Sequence, residues 1–230
     1  MIQIPFQQPV RLFWLIVLTD LLAIFLGFNW LHVIVKPLLM PSLAYVVYIS
    51  NLAVAAKKLI LTGLCFSWLG DVFLLIESHN ALFFIAGLAN FLITHICYIL
   101  YFLSIRSSQP SLLQKQPIYI LLTLCYGAGL VWLLHPFLGE LKVPVMLYAV
   151  IICSMLICSI HIYLKVKVPA NRLFITGAVL FVLSDSLLAI NKFYHSLPLA
   201  GILIMLTYCA AQYFIVRGFI DAGKVVVNKT

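Results

Sequence analysis

Two aspartates, Asp71 and Asp185, are the residues of this sequence best placed to do chemistry, because each lies inside a long apolar stretch. They occur in GLCFSWLGDVFLL (63–75) and GAVLFVLSDSLLA (177–189), where a glycine stands eight residues before the aspartate and leucines stand two before and three after it. Ionisable side chains are costly in a lipid bilayer, so acids in such positions are interpreted first as functional. Two neighbouring carboxyl groups can divide the roles of general acid and general base.

The composition indicates the kind of protein in which these acids lie. Of the 230 residues, 65% are hydrophobic and 9% are charged, whereas a soluble domain carries roughly 25% charged residues. We therefore predict an all-α polytopic membrane protein, a single transmembrane domain over residues 1–230 with a flexible tail at 220–230. About eight helices, each near the ~20 residues that cross a bilayer, are expected at 12–28, 31–50, 59–77, 81–104, 117–135, 142–163, 171–191 and 197–219.

The basic residues predict the orientation of these helices. Of the fourteen, all fall on one side except Lys36, Lys142 and Lys192. Cytoplasmic loops of membrane proteins carry the excess of Lys and Arg, so both termini are predicted to be cytoplasmic. The net charge of +8 is assigned to topology and lipid headgroup contacts rather than to nucleic acid, because no basic cluster exceeds the pair Lys57 and Lys58.

The two aspartate stretches also predict an internal repeat. They lie on helices three and seven, which run in the same direction, so helices 2–4 and 6–8 are expected to be parallel repeats. Counting at about 1.5 Å per residue gives the two aspartates a similar depth. Lys36 and Tyr148 lie five or six residues into helices that start on the opposite side. We therefore expect a polar layer of these four residues in the extracytoplasmic half of the membrane.

Two other charged residues inside apolar runs have more than one interpretation. Lys36 lies in VIVKPLLMP (33–41), whose prolines indicate a kink with freed carbonyl groups that find other partners. The lysine either extends to the interface or points inward toward an acid or a phosphate, and spacing alone does not decide. For Asp20 in the first helix, a helix-packing or lumen-facing role is slightly favoured over chemistry.

Six stretches in this chain occur in the order found in one known family. They are KPLLM, GLCFSWLGDVFLL, GLANFLITHICYILYF, VPVMLYAVI, GAVLFVLSDSLLAI and TYCAAQYFIVRG. Over helices two to eight the chain resembles the YhhN and TMEM86 family of integral membrane lysoplasmalogenases. The resemblance implies a hydrolase that cleaves the vinyl ether bond of a lysoplasmalogen, releasing a fatty aldehyde and glycerophosphoethanolamine or glycerophosphocholine.

The resemblance also implies site residues. Asp71 and Asp185 would be catalytic, and the substrate-binding residues would be Lys36, His95, Tyr98, Tyr148, Ser184 and Gln212. A lysophospholipid and the surrounding membrane lipids are the expected partners, and no cofactor or metal is expected. The compact chain and the lack of a eukaryotic retrieval signal favour a bacterial inner membrane.

Several of these residues also have a structural interpretation. His95 and Tyr98 lie one turn apart and would form a helix-packing pair, and Gln212 would make an interhelical hydrogen bond and nothing more. Counting places His95 nearer mid-membrane than the aspartates, so it is not expected to be the acid. Histidines at helix ends are attributed to interfacial solvation, namely His32, His79, His135 and His195. Glycines are attributed to close helix packing, namely Gly70, Gly87, Gly177 and Gly201.

The implied reaction suits two carboxyl groups. A vinyl ether hydrolyses when its β-carbon is protonated, and water then captures the oxocarbenium ion. A buried carboxyl pair can share one proton, so one aspartic acid would protonate carbon while the other carboxylate stabilises the cation and orients water. The sequence does not indicate which aspartate has which role. Lys36 would bind the lipid phosphate or keep one carboxylate ionised.

Two other classes of protein use acids within membrane helices. A proton-coupled transporter is the more serious alternative, because a parallel repeat with intramembrane acids is also transporter architecture. A presenilin-like aspartyl protease fits poorly, because its GxGD element would need a glycine where Trp68 stands. No serine nucleophile with a base is recognisable, so cleavage of acyl esters is expected to be weak or absent.

Overall fold

The computed structural model describes residues 7–77 and 81–227, and every regular element in these ranges is helical. Within them, eight helices are long and apolar enough to cross a membrane. They are α1 Gln7–Phe25, α2 Asn29–Tyr48, α3 Val54–Leu75, α4 Ala81–Ser104, α5 Ile118–Leu134, α6 Lys142–His161, α7 Ala170–Ala189 and α8 Ala200–Val227. The prediction of an all-α, multi-pass membrane protein with about eight helices is confirmed.

The helix boundaries differ from the apolar runs mainly at polar ends. Helix α1 begins at Gln7, ahead of the run predicted from residue 12, and α8 continues to Val227, into the tail predicted from residue 220. A further short helix, Leu112–Lys115, lies between α4 and α5. Ser111 and Gln114 form a capping box there: the Ser111 hydroxyl accepts from the Leu113 backbone N–H, and Gln114 Oε1 accepts from the Ser111 backbone N–H. Hydropathy detects none of these polar extensions.

The helices associate most extensively in two pairs, α3 with α4 and α7 with α8. Glycine permits the close approach in each pair. A Cβ added to Gly70 of α3 would lie 2.7 Å from the Phe91 ring of α4, and one added to Gly177 of α7 would lie 3.0 Å from the Ala211 carbonyl oxygen of α8. The interpretation of these glycines as close-packing positions is confirmed.

The two prolines of α2 tie this helix to α3. Pro41 has no N–H, so the carbonyl group of Pro37, four residues earlier, lacks its usual helical partner. The indole Nε1 of Trp68 on α3 donates to that oxygen at 3.0 Å. The prediction that freed proline carbonyls find other partners is confirmed, and the donor lies in the first aspartate stretch.

Aromatic side chains fill the bundle at the end where α4 and α8 finish. The Tyr101, Phe102, Phe174 and Phe219 rings contact one another with centroids 4.3 to 6.2 Å apart. All four side chains are buried. The polar cavity lies toward the other end of the same helices.

Candidate active site

A cavity of about 290 Å³ lies between α1, α2, α3, α4, α7 and α8. Four of the residues predicted for the site line it: Lys36, Asp71, Ser184 and Asp185. Four polar residues that the sequence did not assign to the site line it as well: Asn29, His32, Glu77 and Tyr208. The structure therefore brings both aspartates and the intramembrane lysine to one cavity, as the polar layer predicted.

Asp71 is held from α8 by a single hydroxyl group. Its side chain is almost fully buried, with 2% of the residue exposed. Tyr208 Oη donates a hydrogen bond to Asp71 Oδ2 at 2.8 Å. The Tyr208 ring is fixed edge-on by Phe91 and Phe181. Sequence reasoning missed Tyr208, and the available signal was its position one turn before Gln212 in TYCAAQYFIVRG.

Asp185 has two partners, from α6 and α4. Tyr148 Oη donates to Asp185 Oδ2. His95 Nε2 lies 3.0 Å from Tyr148 Oη and 3.5 Å from Asp185 Oδ2. The His95 residue is fully buried, and its ring packs edge-on against Phe181 with centroids 4.6 Å apart. Counting along α4 set His95 apart from the aspartates, but depth alone does not determine which helices face each other.

Lys36 points inward. Only 9% of the residue is exposed, and it lines the cavity together with Asp71. Of the two alternatives for this lysine, the inward position is confirmed and extension to the interface is wrong. The reason is the packing of α2 against α3 and α8, which turns the face bearing Lys36 toward the centre of the bundle.

His32 and Asp20 form a pair next to this lysine. His32 Nδ1 and Asp20 Oδ1 are 2.8 Å apart, and Asp20 is 1% exposed. The interfacial interpretation of His32 is therefore wrong, because its ring faces a buried carboxylate and the cavity. His135 and His195 are exposed near helix ends, as that interpretation predicted, and His79 lies outside the described residues.

Tyr98 and Gln212 lie away from the cavity, in a buried network that joins α3, α4 and α8. Tyr98 Oη donates to Gln212 Oε1 at 2.6 Å, and Gln212 Nε2 donates to Ser67 Oγ at 2.8 Å. Ser67 in turn donates to Thr94 Oγ1 at 3.1 Å. The structural alternative, a hydrogen bond between helices, describes both residues. Tyr98 makes that bond to α8 and does not pair with His95.

Ser184 and Glu77 complete the polar lining. Ser184 is 1% exposed and donates to the Ile204 carbonyl oxygen at 3.0 Å, so its hydroxyl ties α7 to α8. Glu77 Oε1 accepts from Lys192 Nζ at 3.0 Å. In residues 7–77 and 81–227 no group of three or more His, Cys, Asp or Glu side chains is arranged to hold a metal ion. The polar side chains that line the cavity present carboxyl, imidazole, hydroxyl, amide and ammonium groups.

Comparisons with known proteins match the chain over most of its length. The model of the YhhN family matches residues 31–219. The lysoplasmalogenase TMEM86A of Bos taurus is 30% identical over 172 residues, 73% of this chain and 67% of that protein. A lysoplasmalogenase of Mycobacterium tuberculosis is 29% identical over 206 residues, 86% of this chain and 75% of that protein. The lysoplasmalogenase TMEM86B of Mus musculus is 33% identical over 190 residues, 82% and 75% of the two chains. No solved structure matches significantly.

Proposed function

Because this chain belongs to the YhhN family, we propose that it is a lysoplasmalogenase, which hydrolyses the vinyl ether bond of lysoplasmalogens. The products would be a fatty aldehyde and glycerophosphoethanolamine or glycerophosphocholine. The observation that carries this proposal is that Asp71, Asp185 and Lys36 line the same cavity. The names of the relatives support it independently.

The proposed reaction needs one protonated and one ionised carboxyl group. The protonated group transfers its proton to the β-carbon of the vinyl ether, and the electron pair of the C=C bond forms the new C–H bond. The resulting oxocarbenium ion is stabilised by the second carboxylate, which also removes a proton from the attacking water. The hemiacetal then collapses, releasing the glycerol hydroxyl group and the aldehyde. The proton taken from the water is then on the second carboxyl group, and its transfer to the first restores one protonated and one ionised carboxyl group.

The hydrogen bonds around Asp185 support the ionised role for this residue. Tyr148 has one hydroxyl proton and donates it to Asp185. His95 Nε2, at 3.0 Å from Tyr148 Oη, must then be the donor of that contact and carry a proton. Reversing the chain of donors would move this proton to His95 Nδ1, which has no hydrogen-bond partner among the described residues. Buried N–H groups without acceptors are rare, so we infer that Asp185 is the carboxylate.

Asp71 is then the acid. It receives one bond, from the neutral Tyr208 hydroxyl to Oδ2, and it is more buried than Asp185, whose side chain is 17% exposed. Burial disfavours the charged form of a carboxyl group. Lys36 opposes this effect while its charge is unbalanced, and a substrate phosphate bound to Lys36 would offset that charge. Binding of the lipid would thus favour the protonated form of Asp71 when it is needed.

The six residues predicted to bind the substrate have different roles in this proposal. Lys36 touches the substrate, whereas Tyr148 and His95 act through Asp185 as positioning residues. Ser184 holds the α7–α8 contact beside the cavity. Tyr98 and Gln212 stabilise the interface of α4 with α8 and take no part in binding.

We also propose that the two halves of the bundle are parallel repeats with both termini in the cytoplasm of a bacterial inner membrane. Positions 114 residues apart make related contacts, because Gly63 approaches Cys97 as Gly177 approaches Ala211. Tyr98 and Gln212 are likewise 114 residues apart and bond to each other, as expected of equivalent positions at a two-fold axis.

Reporter fusions at Arg106 and Thr230 should report the cytoplasm, and fusions at Gly139 and His195 the opposite side. A C-terminal fusion that reports the opposite side would contradict the orientation.

One assay tests the proposed function against its alternatives. Purified protein in detergent is given alkenyl and acyl lysophospholipids in parallel, and both fatty aldehyde and fatty acid are measured. We expect aldehyde from the alkenyl lipid and little fatty acid from the acyl lipid. A proton-coupled transporter would release neither product, and fatty acid release at the rate of aldehyde release would contradict vinyl ether specificity.

A further inference from the structure

One face of α2 carries a row of polar side chains into the cavity. Asn29, His32 and Lys36 occupy positions i, i+3 and i+7 of the helix, and all three line the cavity. Residues at this spacing share one face, so the row runs from the start of α2 toward Asp71. Four residues of helix rise by about 6 Å, which sets the separation of His32 from Lys36 along the helix axis.

Asp20 fixes the orientation of the middle member of this row. The Asp20 carboxylate is 1% exposed, and its Oδ1 lies 2.8 Å from His32 Nδ1. That contact directs Nδ1 to α1 and leaves Nε2 as the ring nitrogen for the cavity. When the imidazole carries both protons, Nδ1–H donates to Asp20 and Nε2–H remains for an anion. A carboxylate that orients an imidazole in this way is a device for placing the second nitrogen.

The charges around the row favour an anion between His32 and Lys36. Asp20 is balanced by His32, and the carboxylate at the other side of the cavity, Glu77, is balanced by Lys192 at 3.0 Å. Among the described residues, no carboxylate forms an ion pair with Lys36, so its positive charge is available to an anion in the cavity. Asp71, its neighbour in the cavity, is the group assigned above to be protonated once the lipid is bound.

We propose that His32, Lys36 and Asn29 form the subsite for the phosphodiester of a glycerophospholipid headgroup, with Asp20 as the residue that positions His32. This inference rests on the proposed function and deepens it. The glycerol unit between the phosphate and the vinyl ether would span the turn of α2 that separates His32 from the level of the aspartates. A phosphodiester held between His32 and Lys36 would place the vinyl ether beside Asp71 and Asp185.

Binding and turnover test the subsite separately. The binding ligands are a 1-alkyl lysophosphoethanolamine, which lacks the reactive double bond, and the matching 1-alkylglycerol, which lacks the phosphate. The turnover substrates are the corresponding lysoplasmalogen and 1-alkenylglycerol. His32→Gln and Asp20→Asn are compared with the wild type and with His195→Gln, a control at an exposed histidine that does not line the cavity. Thermal unfolding of each purified variant identifies any that does not fold.

Loss of a hydrogen bond to a charged group corresponds to about a ten- to hundredfold change in affinity. We expect His32→Gln to weaken binding of the phosphate-bearing ligand by about tenfold and Asp20→Asn by less, because Asp20 acts only through His32. Binding and cleavage of the glycerol compounds should stay at the wild-type level. The double variant should be no worse than His32→Gln, because Asp20 has nothing left to position.

Equal losses on both ligands, or no loss on either, would overturn the subsite. In a competition experiment, inorganic phosphate and glycerophosphoethanolamine are each used to displace the bound lysophospholipid. Equal displacement by the two would assign the site to free anions and overturn the headgroup assignment. Wild-type protein that shows the expected binding pattern but releases no aldehyde would refute the proposed function while the subsite stands. If Asp20→Asn does not fold, His32→Gln alone decides between these outcomes.

Discussion

The surroundings of Asp71 and Asp185 differ more than their sequence contexts do. Asp71 accepts one hydrogen bond, from Tyr208, and shares the cavity with Lys36. Asp185 accepts from Tyr148 and has His95 within 3.5 Å. Each aspartate thus has a neighbour from the second helix of a half, Lys36 or Tyr148, and one from the fourth helix of the opposite half, Tyr208 or His95.

In the proposed mechanism, this difference lets two aspartates in similar sequence contexts act as an acid and a base. The frames that hold the two carboxyl groups are similar, but the partners are not. Donation from Tyr148, which itself accepts from His95 in the proposed arrangement, favours the carboxylate form of Asp185. Among the described residues, Asp71 accepts only one hydroxyl bond and is more buried, which is compatible with a protonated acid. We propose that the hydrogen-bond partners of the two aspartates, rather than the aspartates themselves, determine which one is the acid.

The largest effect is expected from either aspartate. Asp71→Asn and Asp185→Asn each remove a group that transfers or directs a proton, so aldehyde release should fall by about a thousandfold. The double variant should be little worse than the worse single one, because residues that act as a unit give non-additive losses. Asp221→Asn, in the i,i+4 pair with Arg217 and outside the cavity lining, is the matched control and should keep near-normal turnover. A well-folded Asp71→Asn or Asp185→Asn enzyme with normal turnover would remove that residue from the mechanism.

The two tyrosines should separate the roles of the aspartates. Tyr148→Phe removes a hydrogen bond to a carboxylate, so kcat should fall by about ten- to hundredfold. Tyr208→Phe removes a bond between neutral groups, so the loss should be only a few-fold, that is below about tenfold. The measurement is kcat for aldehyde release at saturating substrate. A larger loss for Tyr208→Phe than for Tyr148→Phe would exchange the assigned roles of Asp71 and Asp185.

A smaller effect is expected at His95, where the question is which atom donates. His95→Gln keeps an N–H group that can donate to Tyr148, whereas His95→Ala does not. We expect a loss of about tenfold in kcat for the alanine variant and partial rescue by glutamine, with KM nearly unchanged in both. Equal activity of the two variants would show that donation to Tyr148 is not the function of His95.

The smallest effect is expected on stability, in a comparison of the α3–α4 and α7–α8 helix pairs. Gly177 approaches backbone atoms of α8 at 3.0 Å, so Gly177→Ala should lower the free energy of unfolding by about 1–3 kcal/mol. Gly63 meets the Tyr98 and Cys97 side chains at 3.1 and 3.4 Å, which leaves more room to adjust, so Gly63→Ala should cost less. Gly129, with no atom within 4 Å of an added Cβ, is the control. Unfolding in detergent measures all three, and the reverse order would show that α3–α4 is the more rigid pair.

The sequence by itself determined the membrane class, the number of helices and two of the acids that line the cavity. These features depend on local composition, because an apolar run of sufficient length forms a membrane helix in any surroundings and a charge inside it is costly wherever the helix packs. The sequence also predicted a free carbonyl group in α2, because a proline has no N–H to bond the carbonyl four residues earlier. Only the identity of its donor, Trp68, needed the structure.

The tertiary structure decided which polar residues meet. Depth along a helix follows from counting, but the face that a helix turns to its neighbours depends on packing over the whole bundle. For this reason counting set His95 apart from Asp185, attributed His32 to the interface and overlooked Tyr208, whereas the structure joins each of them to a carboxylate. The same packing places Tyr98 and Gln212 in a separate hydrogen-bond network, away from the cavity. Hydrogen-bond partners depend on which helix surfaces face each other. The sequence specifies each surface, but the pairing of the surfaces is set by the packing of the whole bundle.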